Sequence, residues 1–253
     1  DGKFKLAQLV RANRELERVC RAYRLPCVSG KDSMKNDYGV WPNKISIPPT
    51  MLFSLFGNHP DVRKTATSNF KRHGERIYLV GTTYEELGAS EVAFHLRERG
   101  DATGIGGQVP RLEDPVRQLE VYRKLSSSIQ NGLIRTAHDC SEGGLAVALA
   151  EMCIGGRCGA IIDIDGIGSG DVFSRLWSES LGRIIVSVEA EHELAFVEMM
   201  EGADIHLIGM VTESPNLIVE DGYDTVLNSD VDDLTHSWKG SLDLSLIHIS
   251  EPT

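Results

Sequence analysis

Between residues 5 and 23 apolar side chains recur every three or four positions: Leu6, Leu9, Val10, Leu16, Val19, Cys20 and Tyr23. That spacing places them along one broad stripe and predicts an amphipathic helix. Pro26 then opens a short predicted strand to Ser29, ended by Gly30. A longer apolar run, Ile45 to Phe56, reads as another strand. Its Pro48 and Pro49 give no ladder donor, so they demand an edge, a bulge or a bend. Residues 58–74 turn polar and basic, which is the character of a connection between two units.

Strand and helix patterns alternate after that. Arg76 to Gly81 predicts a buried strand, 85–99 a partial helix and 100–110 a glycine-rich loop. Val116, Leu119, Tyr122, Leu125 and Ile129 mark a second clear helix at helical spacing. A strand over Leu133 to Ala137 hands over to a small-residue helix over Leu145 to Cys153. Strands follow at 160–164, 183–188, 205–211 and 217–220, with helices near 171–176 and 191–201 between them. Asp221-Gly222 predicts a tight hairpin turn. Several neighbouring strands read as antiparallel, so the fold class is α+β, in mixed layers, rather than a doubly wound sheet.

A length of 253 residues fits one large or two modest domains. The net charge of -11 argues against a general nucleic-acid binder, which needs a basic face, but leaves room for a local basic pocket. The five cysteines are Cys20, Cys27, Cys140, Cys153 and Cys158. Their odd number and the lack of Cys-x-x-Cys spacing signal neither a disulfide framework nor a zinc site, and make the cytoplasm the expected location. No apolar run approaches the roughly 18 residues of a membrane span, and no signal peptide is visible. The chain starts on aspartate almost directly in a helix, and is read as a piece of a longer polypeptide. Its last nine residues, Ser245 to Thr253, fit no element and are expected to be foreign to the fold.

Two polar turns carry the candidate chemistry. In Ser29-Gly30-Lys31-Asp32-Ser33 the glycine admits close backbone approach and the lysine brings a mobile positive charge. Asp32 can hold a hard cation, and Ser33 can bond a substrate oxygen. A strand-end turn with a solvated Lys/Asp pair explains the same residues. The run is not a phosphate-binding P-loop, because Leu25 stands where the first glycine belongs and Asp32 follows the lysine. Gly104-Ile105-Gly106-Gly107 likewise lacks the dinucleotide-binding spacing.

The second turn is His138-Asp139-Cys140-Ser141-Glu142-Gly143-Gly144-Leu145, at a strand-to-helix junction. The first amides of a helix attract anions, so such a turn suits a phosphate. Asp139 and Glu142 also have capping-box spacing, with Asp139 as N-cap. That leaves Gly143-Gly144 unexplained; paired glycines weaken a helix by about 1 kcal/mol each and point to close packing against another helix or a ligand. In a third cluster, Trp177 to Arg183, Glu179 between Ser178 and Ser180 can receive a ligand's donors, or simply sit in a helix-to-strand turn.

Taken in order, Ser29 to Asp37, Ile47-Pro48-Pro49-Thr50, Glu86 to Glu91, His138 to Leu145 and Ser178-Glu179-Ser180 resemble one family, phosphoribosylformylglycinamidine synthase of the aminoimidazole ribonucleotide synthetase superfamily. The resemblance covers residues 1–226. It implies the second of two A-B domain pairs: the end of an A-type, barrel-forming domain at 1–57, a linker at 58–71, a complete B-type α/β domain at 72–228 and a tail at 229–253. It implies an ATP-dependent ligase of purine biosynthesis. Such an enzyme makes formylglycinamidine ribonucleotide from formylglycinamide ribonucleotide, ATP and glutamine-derived ammonia, with Mg2+ offsetting the triphosphate charge.

Position by position, the resemblance implies ATP contacts at Gly30 and Lys31 and a substrate contact at Ser33. Lys31 stands where some members place an asparagine metal ligand, which moves the metal role to Asp32. Asp139, as a metal ligand, and Ser178, Glu179 and Ser180, as substrate contacts, match counterparts in the first A-B pair; here they serve a catalytic site, a structural nucleotide or neither. The catalytic histidine and the glutaminase belong to other parts of the family's machinery. The implied partners are therefore an upstream A-B half and a glutaminase domain or subunit, and the chain alone is expected to show no synthase activity. Aminoimidazole ribonucleotide synthetase and selenophosphate synthetase are the alternatives within the superfamily. The latter calls for a reactive Cys or selenocysteine near a glycine-rich amino terminus, which is not seen.

Overall fold

The computed structural model describes residues 2–31, 37–46, 48–101 and 107–240. Asp32 and Ser33, and the final nonapeptide, lie outside the described residues. The chain divides into two compact units: one runs to Val62 and takes in Asp114–Glu120, the other holds Arg63–Glu113 and the chain from Val121 on.

In the first unit the amphipathic stripe does form a helix, α1 (Gly2–Tyr23), with none of its residues buried. Glu15–Arg18 and Glu17–Arg21 ion pairs, at 2.7 and 2.8 Å, support its polar side at helical spacing. A short antiparallel ribbon follows, β1 (Asp37–Tyr38) against β2 (Ile45–Ser46). The long strand expected over 45–56 stops at that ribbon. Residues 48–56 form no strand, and Leu52 and Phe56 are 92% and 87% exposed. Two consecutive prolines withhold ladder donors, and among the described residues no strand pairs with this stretch. The strand expected over 26–29 is also absent.

The second unit is a seven-stranded sheet between two helical layers. Its elements in chain order are β3 (Arg76–Val80), α2 (Glu91–Glu98), α3 (Pro115–Gln130, of which the part from Val121 on belongs to this unit), β4 (Thr136–Asp139), α4 (Gly144–Gly156) and β5 (Gly159–Asp163). They continue with α5 (Val172–Trp177), β6 (Ile184–Val188), α6 (Glu193–Met199), β7 (Ile205–Thr212), β8 (Asn216–Asp221), β9 (Asp224–Asp230) and α7 (Val231–Gly240). The strands lie in the order β4-β6-β3-β7-β5-β8-β9. Every neighbouring pair is antiparallel except β5–β8. The mixed α+β architecture is therefore as expected, and the Asp221-Gly222 turn joins β8 to β9 as a tight hairpin.

Strand periodicity sorts the core into two faces. Ile77 and Leu79 of β3 join one cluster with Leu145, Leu149 and Met152 of α4, while Tyr78 and Val80 join the other with Leu125 and Phe196. The Tyr78 and Phe196 rings meet edge to face, 5.1 Å between centroids. Of the stretch expected to be a linker at 58–71, part is built into this unit. Thr67 bridges Thr136 in parallel, and Phe70 is fully buried in the first cluster. The tail is likewise docked at its start, with Val231 buried and Asp232 bonded to Arg157 at 2.7 Å. Among the described residues no helix is long and apolar enough to cross a membrane.

Candidate functional site

The junction between β4 and α4 is built from a strand end, two left-handed glycines and one distant carboxylate. β4 closes on Asp139, paired with Ile184 of β6. The Cys140 amide then donates to the Arg183 carbonyl at 3.0 Å and pins the strand end. Burial pushes the Cys140 thiol up to about 11, so this cysteine is a packing residue rather than a nucleophile. Ser141 donates its hydroxyl to the Asp139 carboxylate. That bond, helped by His138 and opposed by partial burial, holds the Asp139 carboxyl below the usual carboxylate range. Asp139 is exposed and therefore anionic at neutral pH.

The expected capping box is not formed. Helix α4 begins at Gly144, its N-cap is Gly143 at φ +77°, and no side chain of the 139–142 run caps it. Glu179 does so from the far side of the chain: Oε1 accepts the Gly143 amide at 2.9 Å and the Glu91 amide, at the start of α2, also at 2.9 Å. One carboxylate thus neutralises two helix starts. The anion-attracting role expected for the α4 amides is consequently taken by the protein's own Glu179.

This double cap sets a stability prediction. Glu179→Ala should lower unfolding free energy by about 1–2 kcal/mol, because a part-buried amide at Gly143 and an exposed one at Glu91 lose their acceptor. Glu179→Gln, which keeps a carbonyl oxygen, should recover part of the loss; equal urea midpoints for Ala and wild type would contradict the capping role.

Ser178 and Ser180 face inward, both fully buried. Ser178 Oγ accepts the Glu86 amide at 3.2 Å and Ser180 Oγ the Tyr84 amide at 3.0 Å. Substrate contact was expected of both; in this structure their hydroxyls hold the 83–86 loop in place. Behind them lies Arg183, 1% exposed. Its guanidinium donates to Thr83 Oγ1 at 3.0 Å and to the carbonyls of Ser178 and Ser180. Burial pulls its pKa down, against the fields of Cys140, Glu86 and Glu179. Sequence reasoning placed Arg183 at the end of the third cluster and the start of a strand but gave it no role; the signal was its place at the head of the apolar run Ile184 to Val188.

Asp139, Ser141, Glu179, Arg183, Tyr122 and Leu181 line a cleft of about 380 Å³. Its wall offers hard oxygen donors at Asp139 and Ser141, which suits a magnesium ion. The His/acid cluster Glu189, Glu191 and His192 lies at the other end of β6, and its Glu189 is already bonded by Arg72 and Arg135 at 3.1 and 3.3 Å. In the first unit Gly30 and Lys31 are both exposed, and a Cβ at Gly30 would meet nothing within 4 Å. The protein's own packing therefore gives no reason for a glycine there.

Residues 72–222 match the family model of the AIR synthase related protein, C-terminal domain. The chain belongs to that family. Chains of solved structure share its fold. Thermotoga maritima PurL complexed with ATP is 21% identical over 68% of this chain and 27% of that one, with a TM-score of 0.54. PurL complexed with FGAR, also from T. maritima, gives 21% identity over 68% and 30%, with a TM-score of 0.57. Phosphoribosylformylglycinamidine synthase II from the same organism gives 21% over 68% and 28%, at 0.55. The chain spans less than a third of the length of these structures.

Proposed function

We propose that this chain is the second A-B portion of a phosphoribosylformylglycinamidine synthase, an ATP-dependent carbon–nitrogen ligase of purine biosynthesis in the cytoplasm. Residues 1–57 would end an A-type domain and 72–228 form the B-type domain. The carrying observation is Asp139: exposed, ionised, held by Ser141 and set at the mouth of the unit-two cleft. Support comes also from relatives of the same fold described in complex with ATP, AMPPCP, ADP and FGAR.

In this reading Asp139 would be a metal ligand of the second unit; in the first, Asp32 would have a metal role, Gly30 and Lys31 would be ATP contacts and Ser33 a substrate contact. Magnesium, when bound, offsets the charge of the phosphoryl group as it moves to the amide oxygen. Glu179, Ser178 and Ser180 act one step back, fixing the two helix starts and the 83–86 loop around the cleft. An upstream A-B half and a glutaminase complete the machinery, the latter supplying the ammonia that displaces phosphate.

Calorimetric titration of magnesium–ATP into the full chain tests this. Asp139→Asn should weaken binding at least about tenfold, the equivalent of about 1.4 kcal/mol, with an unchanged melting temperature. Because the carboxyl is held below its ordinary range, the affinity difference between wild type and Asp139→Asn should persist from neutral pH down to that range and vanish only beneath it. Wild-type affinity in Asp139→Asn would overturn the assignment. Lost stability with turnover retained in the complete enzyme would make the bound nucleotide a structural brace.

A further inference from the structure

Cys20 and Cys27 share no recognisable spacing in sequence, yet the turn after α1 brings them together. The helix ends at Tyr23, Arg24 adopts a left-handed φ of +56°, and the Leu25 amide returns to the Cys20 carbonyl at 3.0 Å. This reversal sets the two Sγ atoms 3.7 Å apart. Cys27 is exposed and Cys20 half-buried, whereas Cys140, Cys153 and Cys158 are all buried. The pair opens into a recess of about 400 Å³ lined also by Arg21, Arg24, Leu25 and Pro26.

We propose that Cys20 and Cys27 form a reversible dithiol–disulfide site whose oxidant is a small peroxide. The exposed Cys27 thiolate attacks a peroxide oxygen, giving a sulfenic acid and releasing water. Cys20 then displaces the hydroxyl, releasing a second water as the S–S bond forms; two thiols and one hydrogen peroxide become one disulfide and two waters. A bond of about 2.05 Å needs the sulfurs to close by roughly 1.6 Å, within the reach of a χ1 adjustment at exposed Cys27. Burial and the bond shared with Cys27 raise the Cys20 thiol's pKa, which disfavours Cys20 as the first attacker. The ring closes three residues before Gly30, on the segment that leads into that turn.

The test is peptide mass mapping of the full chain after brief hydrogen peroxide treatment and alkylation of remaining thiols. The expected result is one Cys20–Cys27 cross-linked peptide, reversed by a dithiol reductant, with the other three cysteines unoxidised. Binding of one equivalent of phenylarsine oxide to the reduced chain, abolished by Cys20→Ser or Cys27→Ser, is the companion result for a paired dithiol. The proposal is overturned if both cysteines remain alkylatable after peroxide, or if oxidation yields only over-oxidised Cys27 or links between chains.

Discussion

Gly144→Ala is expected to destabilise the second unit by about 3–5 kcal/mol, a large share of the roughly 5–15 kcal/mol that holds a domain folded. Gly144 is buried, at φ +63°, where an L side chain is already strained by about 1–2 kcal/mol. A Cβ there would lie 2.4 Å from the Ser178 carbonyl oxygen and 2.9 Å from that of Leu176. Both are backbone atoms, fixed by the turn that Arg183 and the Ser178 hydroxyl organise, so neither yields cheaply. Gly143→Ala is the internal comparison: its Cβ would meet the Val147 side chain, which has some freedom to rotate. Urea denaturation should show the Gly144 variant far below the Gly143 variant. Comparable losses would mean that the α4 start is not packed on the Ser178 turn as described.

Arg183→Met should cost about 3 kcal/mol and loosen the cleft. Among the described residues no carboxylate is ion-paired with Arg183; its guanidinium is solvated by Thr83 Oγ1 and the Ser178 and Ser180 carbonyls instead. Methionine fills comparable space and removes the cost of burying a cation, but strands those acceptors without donors. The orphaned groups outweigh the relief, because each buried unsatisfied group costs about 1–3 kcal/mol. Arg183→Lys keeps the charge without the planar fork and should fall between the two. A loss below about 1 kcal/mol for Arg183→Met would show the loops to be held by other contacts.

These two residues also mark where sequence was legible. Gly143-Gly144 announced close packing because paired glycines are costly in a helix, and the structure supplies the neighbour: the Ser178 turn, 36 residues away at Glu179. The spacing of Asp139 and Glu142 suggested a local cap that the fold does not use, since the left-handed glycines aim the helix start at Glu179. Local pattern cannot reveal a cap delivered through tertiary structure. Buried serines were likewise unreadable, as a hydroxyl that holds a loop and one that meets a substrate have the same letters. Apolar periodicity was reliable where partners exist within the unit, as in β3 and α4. It over-read residues 48–56, where the proline pair interrupts any ladder.

The central claim is the proposal that the Asp139 cleft of the second unit binds magnesium–ATP. The decisive measurement is a crystal structure of the full-length protein with magnesium and a non-hydrolysable ATP analogue. The account predicts metal density on Asp139, with triphosphate density beside it in the second unit's cleft. Metal and triphosphate density placed away from Asp139 would contradict it.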